Sequence, residues 1–479
     1  MSNRQRRKIM KIHNRVLRLL IASALLIVGL PIVEKANAAE PAVNKLTDEQ
    51  MENIVRRSYQ YVGMYNVNNK FAISQGGWNT IDADTKLKDH TMRDIARPNN
   101  DTLYIGCMLD LRKDPVILDI PAFSSKYVSL MVTGYDHYVN VPMSVTLGDF
   151  KKPEKVMFYT ERTEGYDGSS VKGVDRTFEM TGDFVSAVFR IMPHANDKAL
   201  FEKVIGEMKA VKLIPLSKFL GKPLKSIDDV QFPNVGKTDL DVYENNFLEV
   251  MQFVMNHTSF DPDNKIDQAF LSALKPLGVE PGKSFDKSKV ANIDGKKFRA
   301  IAQKVQKSEF ARAMDPAVTA KHGLSLFQPK GKITEDILLM QTVTGPIGLP
   351  ATEAVYPPVS TVDGQSMNAQ NDYVIRMSKE AMPPAKAFWS MTLYDSQNGF
   401  FIPNDHKKYS VGENGGMKLN ADGGIEVYVA AKQPEGVPAE NWLPVNRKDE
   451  KLDVILRLYV PDLEKFKTWK GPKAEMIKK

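Results

Sequence analysis

The sequence predicts an α+β multidomain protein in which two antiparallel β-sandwich, jelly-roll-like units flank a helical middle region. Three observations carry this. Short apolar runs broken by Pro, Gly and Ser turns fill residues 99–191 and return from Tyr373 onward. Between them, apolar residues recur at the helical period. The chain also has 479 residues, more than one core usually serves.

The first predicted helix opens with Thr47 and Gln50 spaced as a capping box, and Leu46 and Met51 placed as a hydrophobic staple. Met51, Ile54, Val55 and Val62 give it an apolar face. Strands follow at Val116-Ile-Leu-Asp-Ile120, Tyr127-Val-Ser-Leu-Met-Val132, Val156-Met-Phe-Tyr159 and Val185-Ser-Ala-Val-Phe-Arg-Ile191. In the middle, Leu200, Phe201, Val204, Ile205 and Met208 share a face. Thr238 starts a longer helix through Tyr243, Phe247, Val250, Met251 and Val254, and further helices cover Ile266–Leu274 and Phe298–Ala313. Strands resume at Tyr373-Val-Ile-Arg-Met377, Phe388–Tyr394, Ile425–Val429 and Leu452–Tyr459. The expected domains are 1–38, a signal peptide; 39–194, helix then sandwich; 195–343, helical; and 344–479, the second sandwich. Thr344-Gly-Pro-Ile-Gly-Leu-Pro350 is the expected boundary.

One internal echo crosses that boundary. Pro121-Ala-Phe-Ser-Ser-Lys-Tyr-Val-Ser-Leu-Met-Val132, leading to Tyr135-Asp136, matches Pro383-Pro-Ala-Lys-Ala-Phe-Trp-Ser-Met-Thr-Leu-Tyr394-Asp395. Duplication and convergence on a common strand–turn–strand form both account for it.

The N-terminus reads as a secretory leader. Seven Arg and Lys residues from Arg4 to Arg18 precede an apolar stretch, Leu19–Val33, which Gly29 and Pro31 interrupt; Ala36-Asn-Ala38 is a small-x-small cleavage site. The stretch is shorter than the ~20 residues of a spanning helix. Cleavage after Ala38 therefore leaves no stable membrane anchor, and the expected location is periplasmic or secreted. Residues 1–38 hold eight Lys/Arg and one acid, a net charge equal to the +7 of the whole chain, so the exported part is neutral. Composition thus makes no case for nucleic acid as partner. Cys107, the single cysteine, stands in an apolar run and reads as a buried, inert thiol.

Several of these segments resemble a largely bacterial family of tandem domains of unknown function, numbered 1254 and 1214. Arg97-Pro-Asn-Asn-Asp-Thr-Leu-Tyr104, Leu109-Asp-Leu111 and Pro115-Val-Ile-Leu-Asp-Ile-Pro121 are similar to the first domain, and Pro276–Asp286 to a segment between the two. Glu353-Ala-Val-Tyr356, Ala387–Asp395, Asn420-Ala-Asp-Gly423, Asn441-Trp-Leu-Pro444 and Leu456-Arg-Leu-Tyr459 resemble the second. The resemblance runs from about Asp48 to about Trp469. It implies jelly-roll-like β units around a helical region and implies no activity.

Candidate chemistry is sparse. Pro98 and the Asn/Asp run after it suit tight turns, while Arg97 and Asp101 together could hold a carboxylate, phosphate or sugar hydroxyl. Asn99, Asn100 and Tyr104 beside them, and Glu353, are further candidate ligand contacts. Tyr135-Asp-His-Tyr138 places Asp136 next to His137 on a predicted strand, where neighbours face opposite sides; an outward polar strand end is the expectation. Trp389, Tyr394 and Trp442 form an aromatic set that serves either as core or as a stacking platform, with Arg376, Asp395 and Asn441 as polar partners. The histidines show no ligand spacing, and Asp261–Asp267 has Lys265 and Ile266 where a calcium loop needs a ligand and Gly; no metal site is predicted. Gly-x-Ser-x-Gly, P-loop and Rossmann patterns are absent, so no cofactor is predicted. The expected function is binding of a small polar or glycan-like ligand at an interdomain cleft. The alternatives are a metal-independent hydrolase or lyase using separated carboxylates such as Asp101 and Asp136, with His137 as a further candidate, and a structural role in envelope assembly.

Overall fold

Thr47 starts the first helix as its spacing requires. In the computed structural model, which describes residues 46–93, 97–227 and 230–478, its hydroxyl accepts from the Gln50 N–H at 3.2 Å. The Thr47 N–H donates in return to the Gln50 side chain at 2.9 Å. Helix α1 then runs Asp48–Ser74. The expected leader, residues 1–38, lies outside the described residues. α1 is buried on most sides, polar residues included. Neighbours satisfy several of those groups, although both polar atoms of the Asn68 side chain have no partner among the described residues. Asn66 donates to Asp239 at 2.8 Å, Gln60 to the Asp136 carbonyl at 3.2 Å and Asn69 to the Tyr135 hydroxyl at 3.1 Å.

The first sandwich comprises β1 (Thr80–Asp84), β2 (Leu103–Asp110), β3 (Val116–Ile120), β4 (Val128–Thr133), β5 (Val141–Ser144), β6 (Glu154–Thr160), β7 (Arg176–Met180), β8 (Phe184–Ile191) and β9 (Lys212–Pro215). Helix α2 (Lys198–Ala210) joins β8 to β9. The sheets run β1-β2-β8-β4-β5 and β7-β6-β3-β9. Alternate residues of β2, β4 and β8 (Leu103, Ile105, Val128, Leu130, Phe189) meet Val116, Leu118, Val156 and Phe158 of the facing sheet in one core. Cys107 lies inside that core, and burial pushes its thiol well up, as expected of an inert cysteine.

Helix α3 (Leu216–Phe219) packs with Ile117 and Met157 of the first sandwich, and the helical layer holds α4 (Asp239–Asn245), α5 (Phe247–Asn256), α6 (Lys265–Leu274), α7 (Gly295–Met314), α8 (Pro316–His322) and α9 (Glu335–Thr344). The single helix expected after Thr238 is two. Asn246 leaves helical conformation at φ −153° and its side chain donates to the Asn234 carbonyl at 2.9 Å, the local competition that Asn offers a helix backbone. Sequence order groups α1 with the first sandwich. Its apolar face instead packs in one core with Tyr243, Phe247, Val254, Phe270, Phe298 and Val305 of α4 to α7.

The second sandwich comprises β10 (Ala354–Val355), β11 (Ser360–Thr361), β12 (Met367–Asn368), β13 (Tyr373–Met377), β14 (Ala385–Asp395), β15 (Ser410–Gly412), β16 (Ile425–Ala430), β17 (Trp442–Pro444), β18 (Lys451–Pro461) and β19 (Lys473–Met476), with α10 (Leu463–Thr468) between the last two. Its sheets run β10-β18-β14-β15, with β12 also on β18, and β17-β16-β13-β19-β11.

Set side by side, the two sandwiches repeat one plan. The paths β2-β8-β4-β5 and β10-β18-β14-β15 correspond, as do β7-β6-β3-β9 and β17-β16-β13-β19. Pair by pair the directions agree as well, down to the parallel couples β6–β7 and β16–β17. Those couples, with β11–β19, depart from the purely antiparallel sheets expected. A 3-10 turn follows β5 at Val145–Leu147 and β15 at Glu413–Gly415. Within the echo, Tyr127-Val-Ser129 and Phe388-Trp-Ser390 fall at matching places along β4 and β14, whereas Tyr135-Asp136 and Tyr394-Asp395 do not.

Candidate functional site

Two polar rows face each other where the sandwiches meet. In the first sandwich, strand pairing aligns Tyr104 of β2 with Arg190 of β8, and Arg190 with Ser129 of β4. The flanking residues Leu103, Ile105, Phe189, Ile191, Val128 and Leu130 belong to the core, so alternation turns Tyr104, Arg190 and Ser129 to the outer face. In the second sandwich, Ser390 of β14 pairs with Arg457 of β18, and Tyr356 follows the β10 residue paired with Leu458. Trp389, Met391, Leu456 and Leu458 point into that core. Each sheet thus presents a Tyr–Arg–Ser row to the seam.

Both arginines are buried and, among the described residues, neither has a carboxylate within ion-pairing distance. Arg190 donates to the Ile347 carbonyl at 2.5 Å and lies 5.7 Å from the Tyr104 ring. Arg457 donates to the Thr392 hydroxyl at 2.7 Å and the Arg97 carbonyl at 3.1 Å, and lies 5.5 Å from the Tyr394 ring and 6.0 Å from that of Tyr356. Tyr356 and Tyr459 are electrostatic neighbours of both guanidiniums. Tyr356 is 42% exposed and forms the open side of the seam.

The Arg97–Tyr104 segment is the strap on one side. Arg97, at φ 52°, pairs with Asp453 at 2.5 Å, and Asn99 donates to the Tyr459 hydroxyl at 2.8 Å. Asn100 accepts from Ser410 at 2.8 Å, and Asp101 accepts from Ser390 at 2.7 Å. Burial pushes the Asp101 carboxyl up, and its Oδ1 has no partner. Glu353 sits on the other side. It accepts from Ser144 at 2.8 Å and Thr146 at 3.1 Å, its carboxyl is likewise raised by burial, and its Oε2 is unpartnered. A cavity of about 10 Å³, room for one water, lies between Glu353 and Ser129. A larger groove of about 170 Å³ runs along β18 outside the seam; its charged wall residue, Asp453, is already held by Arg97.

Of the residues nominated from sequence, Arg97, Asn99, Asn100, Asp101, Tyr104, Glu353 and Tyr394 come together around this seam. The others are committed elsewhere. Trp389 is in the second core, and Trp442 is buried with its indole N–H on the Ala430 carbonyl at 2.8 Å. Asn441 bonds Lys418 in both directions, Asp395 caps the turn at Asn398 and Phe400, and Arg376 is an exposed partner of Glu426 and Glu475. Sequence reasoning misses Arg190 and Arg457. The signal available is a lone arginine inside an otherwise apolar strand, Phe-Arg-Ile and Leu-Arg-Leu, a pattern that Ile375-Arg376-Met377 shares at an exposed residue.

Residues 135–138 are not an outward strand end but a buried turn, made possible by His137 at φ 63°. The His137 Nε2–H donates to the Pro346 carbonyl at 2.8 Å and Nδ1 lies 2.7 Å from the Thr342 hydroxyl; burial brings the imidazole down to about 4. Pro346 and Ile347 are thereby gripped by His137 and Arg190, so the expected domain boundary is a fastened strap. Asp136 lies 3.9 Å from Lys330, which pairs with Asp267 at 2.6 Å. Asp136 and Asp101 belong to separate clusters and share no bonding partner. A third network carries no sequence signal: Asp183 accepts from His257 Nδ1 at 2.9 Å, Arg162 Nε at 3.0 Å and Thr160 at 3.1 Å. Burial alone would raise Asp183, but those bonds outweigh it and hold the carboxyl low.

Fold and seam together define a class: an α+β protein with two sandwiches of like strand order, a helical layer and an arginine-bearing junction. The chain belongs to the family of tandem domains of unknown function 1254 and 1214. The model described as a protein of unknown function, DUF1254, matches residues 78–213, and that of DUF1214 matches residues 353–463. Among solved structures, the VPA0106 protein of Vibrio parahaemolyticus is similar at 22% identity and a TM-score of 0.70, over 90% of this chain and 100% of that one. A putative uncharacterized protein from Burkholderia cenocepacia aligns at 12% identity and a TM-score of 0.40, over 90% of this chain and 94% of that one. No curated protein matches the chain.

Proposed function

We propose that this chain is an exported binding protein that holds a small, polar, anionic ligand at the seam between its sandwiches, a seam that opens beyond its present one-water cavity to admit it. One observation carries the reading: two buried guanidiniums, Arg190 and Arg457, meet there without a paired carboxylate among the described residues. Burying a cation without its counter-charge is costly, and an anion in the seam removes that cost. Arginine suits the task because its fork matches carboxylate and phosphate oxygens. Tyr356 supplies an exposed ring at the entrance, so an acidic sugar meets the description as well as a simple acid does. The jelly-roll-like sandwiches act in this reading as two rigid supports. Export follows from the basic, apolar and Ala-x-Ala parts of the leader.

The test is thermal unfolding with acetate, glucuronate or phosphate titrated at constant ionic strength. A ligand at 100 times its Kd stabilises by about 2.7 kcal/mol. One of these anions should raise the melting temperature of the wild type and leave Arg190→Gln and Arg457→Gln unmoved. Equal shifts in wild type and both variants, or none in any, overturn the proposal. For export, the N-terminus of the protein recovered outside the cytoplasm should be Ala39; retention of residues 1–38 rejects that part.

A further inference from the structure

We infer that the seam is an internal two-fold site, and that its ligand carries two anionic groups, one for each guanidinium. This rests on the anion-binding reading above and deepens it. The half-sites correspond residue by residue. Tyr104, Arg190 and Ser129 occupy in β2, β8 and β4 the places of Tyr356, Arg457 and Ser390 beside and on β18 and β14. Three residues before each tyrosine stands an acid, Asp101 or Glu353.

Each acid reaches across to the other copy. Asp101 of the first accepts from Ser390 of the second at 2.7 Å, while Glu353 of the second accepts from Ser144 of the first at 2.8 Å. The 3-10 turns obey the same exchange: Asn414 donates to the Asp101 carbonyl at 2.7 Å, and Thr146 donates to Glu353 at 3.1 Å. At the centre, the equivalent residues Tyr127 and Phe388 touch each other, their ring centroids 6.0 Å apart. The exchange is approximate, since Ser144 is the counterpart of Gly412 and not of Ser390, but contact in both directions is what a two-fold interface produces.

The two half-sites also share a centre: Arg457 lies 6.0 Å from the ring of Tyr356, the counterpart of the Tyr104 whose ring is 5.7 Å from Arg190. Tyr356 and Tyr459 each feel both guanidiniums. Asp101 and Arg457 feel each other's charge, but the bonds of Asp101 go to Ser390 and, at 3.5 Å, to Tyr459, and burial still holds its carboxyl above the usual range. A dianion gives each guanidinium a charged acceptor bonded to it directly, which a monoanion cannot do for both.

The experiment is calorimetric titration of the full exported chain with succinate, glutarate and adipate against butyrate as the matched monoacid. A second charge-assisted bond gives a factor of about 10 to 100 in affinity, so at least one diacid should bind that much more tightly than butyrate. Arg190→Gln and Arg457→Gln should each bring the diacid down to the monoacid level, by similar factors. Tyr356→Ala, which removes the ring 6.0 Å from Arg457, should weaken the diacid by several-fold while its melting temperature without ligand shows that it folds. If butyrate binds as well as every diacid, or only one arginine matters, the two-fold inference fails while anion binding stands. If glucuronate, phosphate and all these acids fail to bind the folded wild type, both readings fail together. An unaltered diacid affinity in folded Tyr356→Ala would also overturn the shared-centre geometry.

Discussion

His137 shows how one residue can tie pH to stability. Its imidazole is fully buried, between Thr342 and Pro346, and burial lowers it from 6.5 to about 4. The unfolded chain therefore takes up a proton at higher pH than the folded one. The stabilisation is complete above about pH 6.5 and is lost progressively as pH falls toward 4. The shift corresponds to about 3 kcal/mol. Urea midpoints measured across that window should fall more steeply for wild type than for His137→Asn; parallel curves would refute the assignment. Asp183 behaves in the opposite sense in that its bonds favour its charge. Removing it leaves Arg162 and His257 facing a buried gap, and Asp183→Ala should cost about 3 kcal/mol in chemical denaturation, against under 1 for the exposed acid Glu464→Ala. Gly348 is a different kind of constraint: a Cβ there would meet the Phe327 ring at 1.9 Å, so Gly348→Ala must push the strap away from that ring.

At the scale of elements, local signals and long-range pairing part company. The α1 capping box is a pattern of two residues three positions apart, legible from spacing alone, and Thr47→Ala should lower stability by about 1 kcal/mol in thermal unfolding. Strands such as Val116–Ile120 and Tyr373–Met377 lie where turns and β-branched residues put them. The break at Asn246 is not legible, because the apolar spacing runs through it and only the Asn234 carbonyl, twelve residues back, reveals the competing bond. The buried turn at Tyr135–Tyr138 escapes for a related reason: nothing local announces a histidine in left-handed conformation. The seam is half legible. Arg97 to Tyr104 stands out as a dense polar run, whereas Arg190 and Arg457 gain meaning only once each strand's register against its neighbour is known, and that register links residues some sixty positions apart.

For the whole molecule, the straps decide whether it behaves as one body. Arg97 reaches Asp453, Asn100 reaches Ser410, Asp101 reaches Ser390 and Lys126 reaches Glu413, all between the two sandwiches. His137 and Arg190 fasten Pro346 and Ile347 to the first of them. Unfolding should therefore be a single cooperative event despite the length of the chain. Trp389, Trp442 and Trp469 report on the second sandwich, while Trp78 packs against Phe184 of the first and Phe232. Fluorescence and far-ultraviolet circular dichroism should give coincident denaturation curves; a separate tryptophan transition would mean that the straps do not couple the halves.

The repeated plan also bears on how the chain reaches its fold. Two β units with the same strand order and the same directions, made in succession on one chain, offer each other's strands plausible but wrong places to pair. β4 and β14 are the nearest equivalents, each lying between its arginine strand and a short edge strand. Their core-facing residues differ in size: Val128 and Leu130 in one, Trp389 and Met391 in the other. A Trp side chain forced into the space of Val128 overpacks the first core, and the reverse exchange leaves a void. Divergence between the copies thus works as a proofreading device, letting one architecture be used twice without its parts being traded.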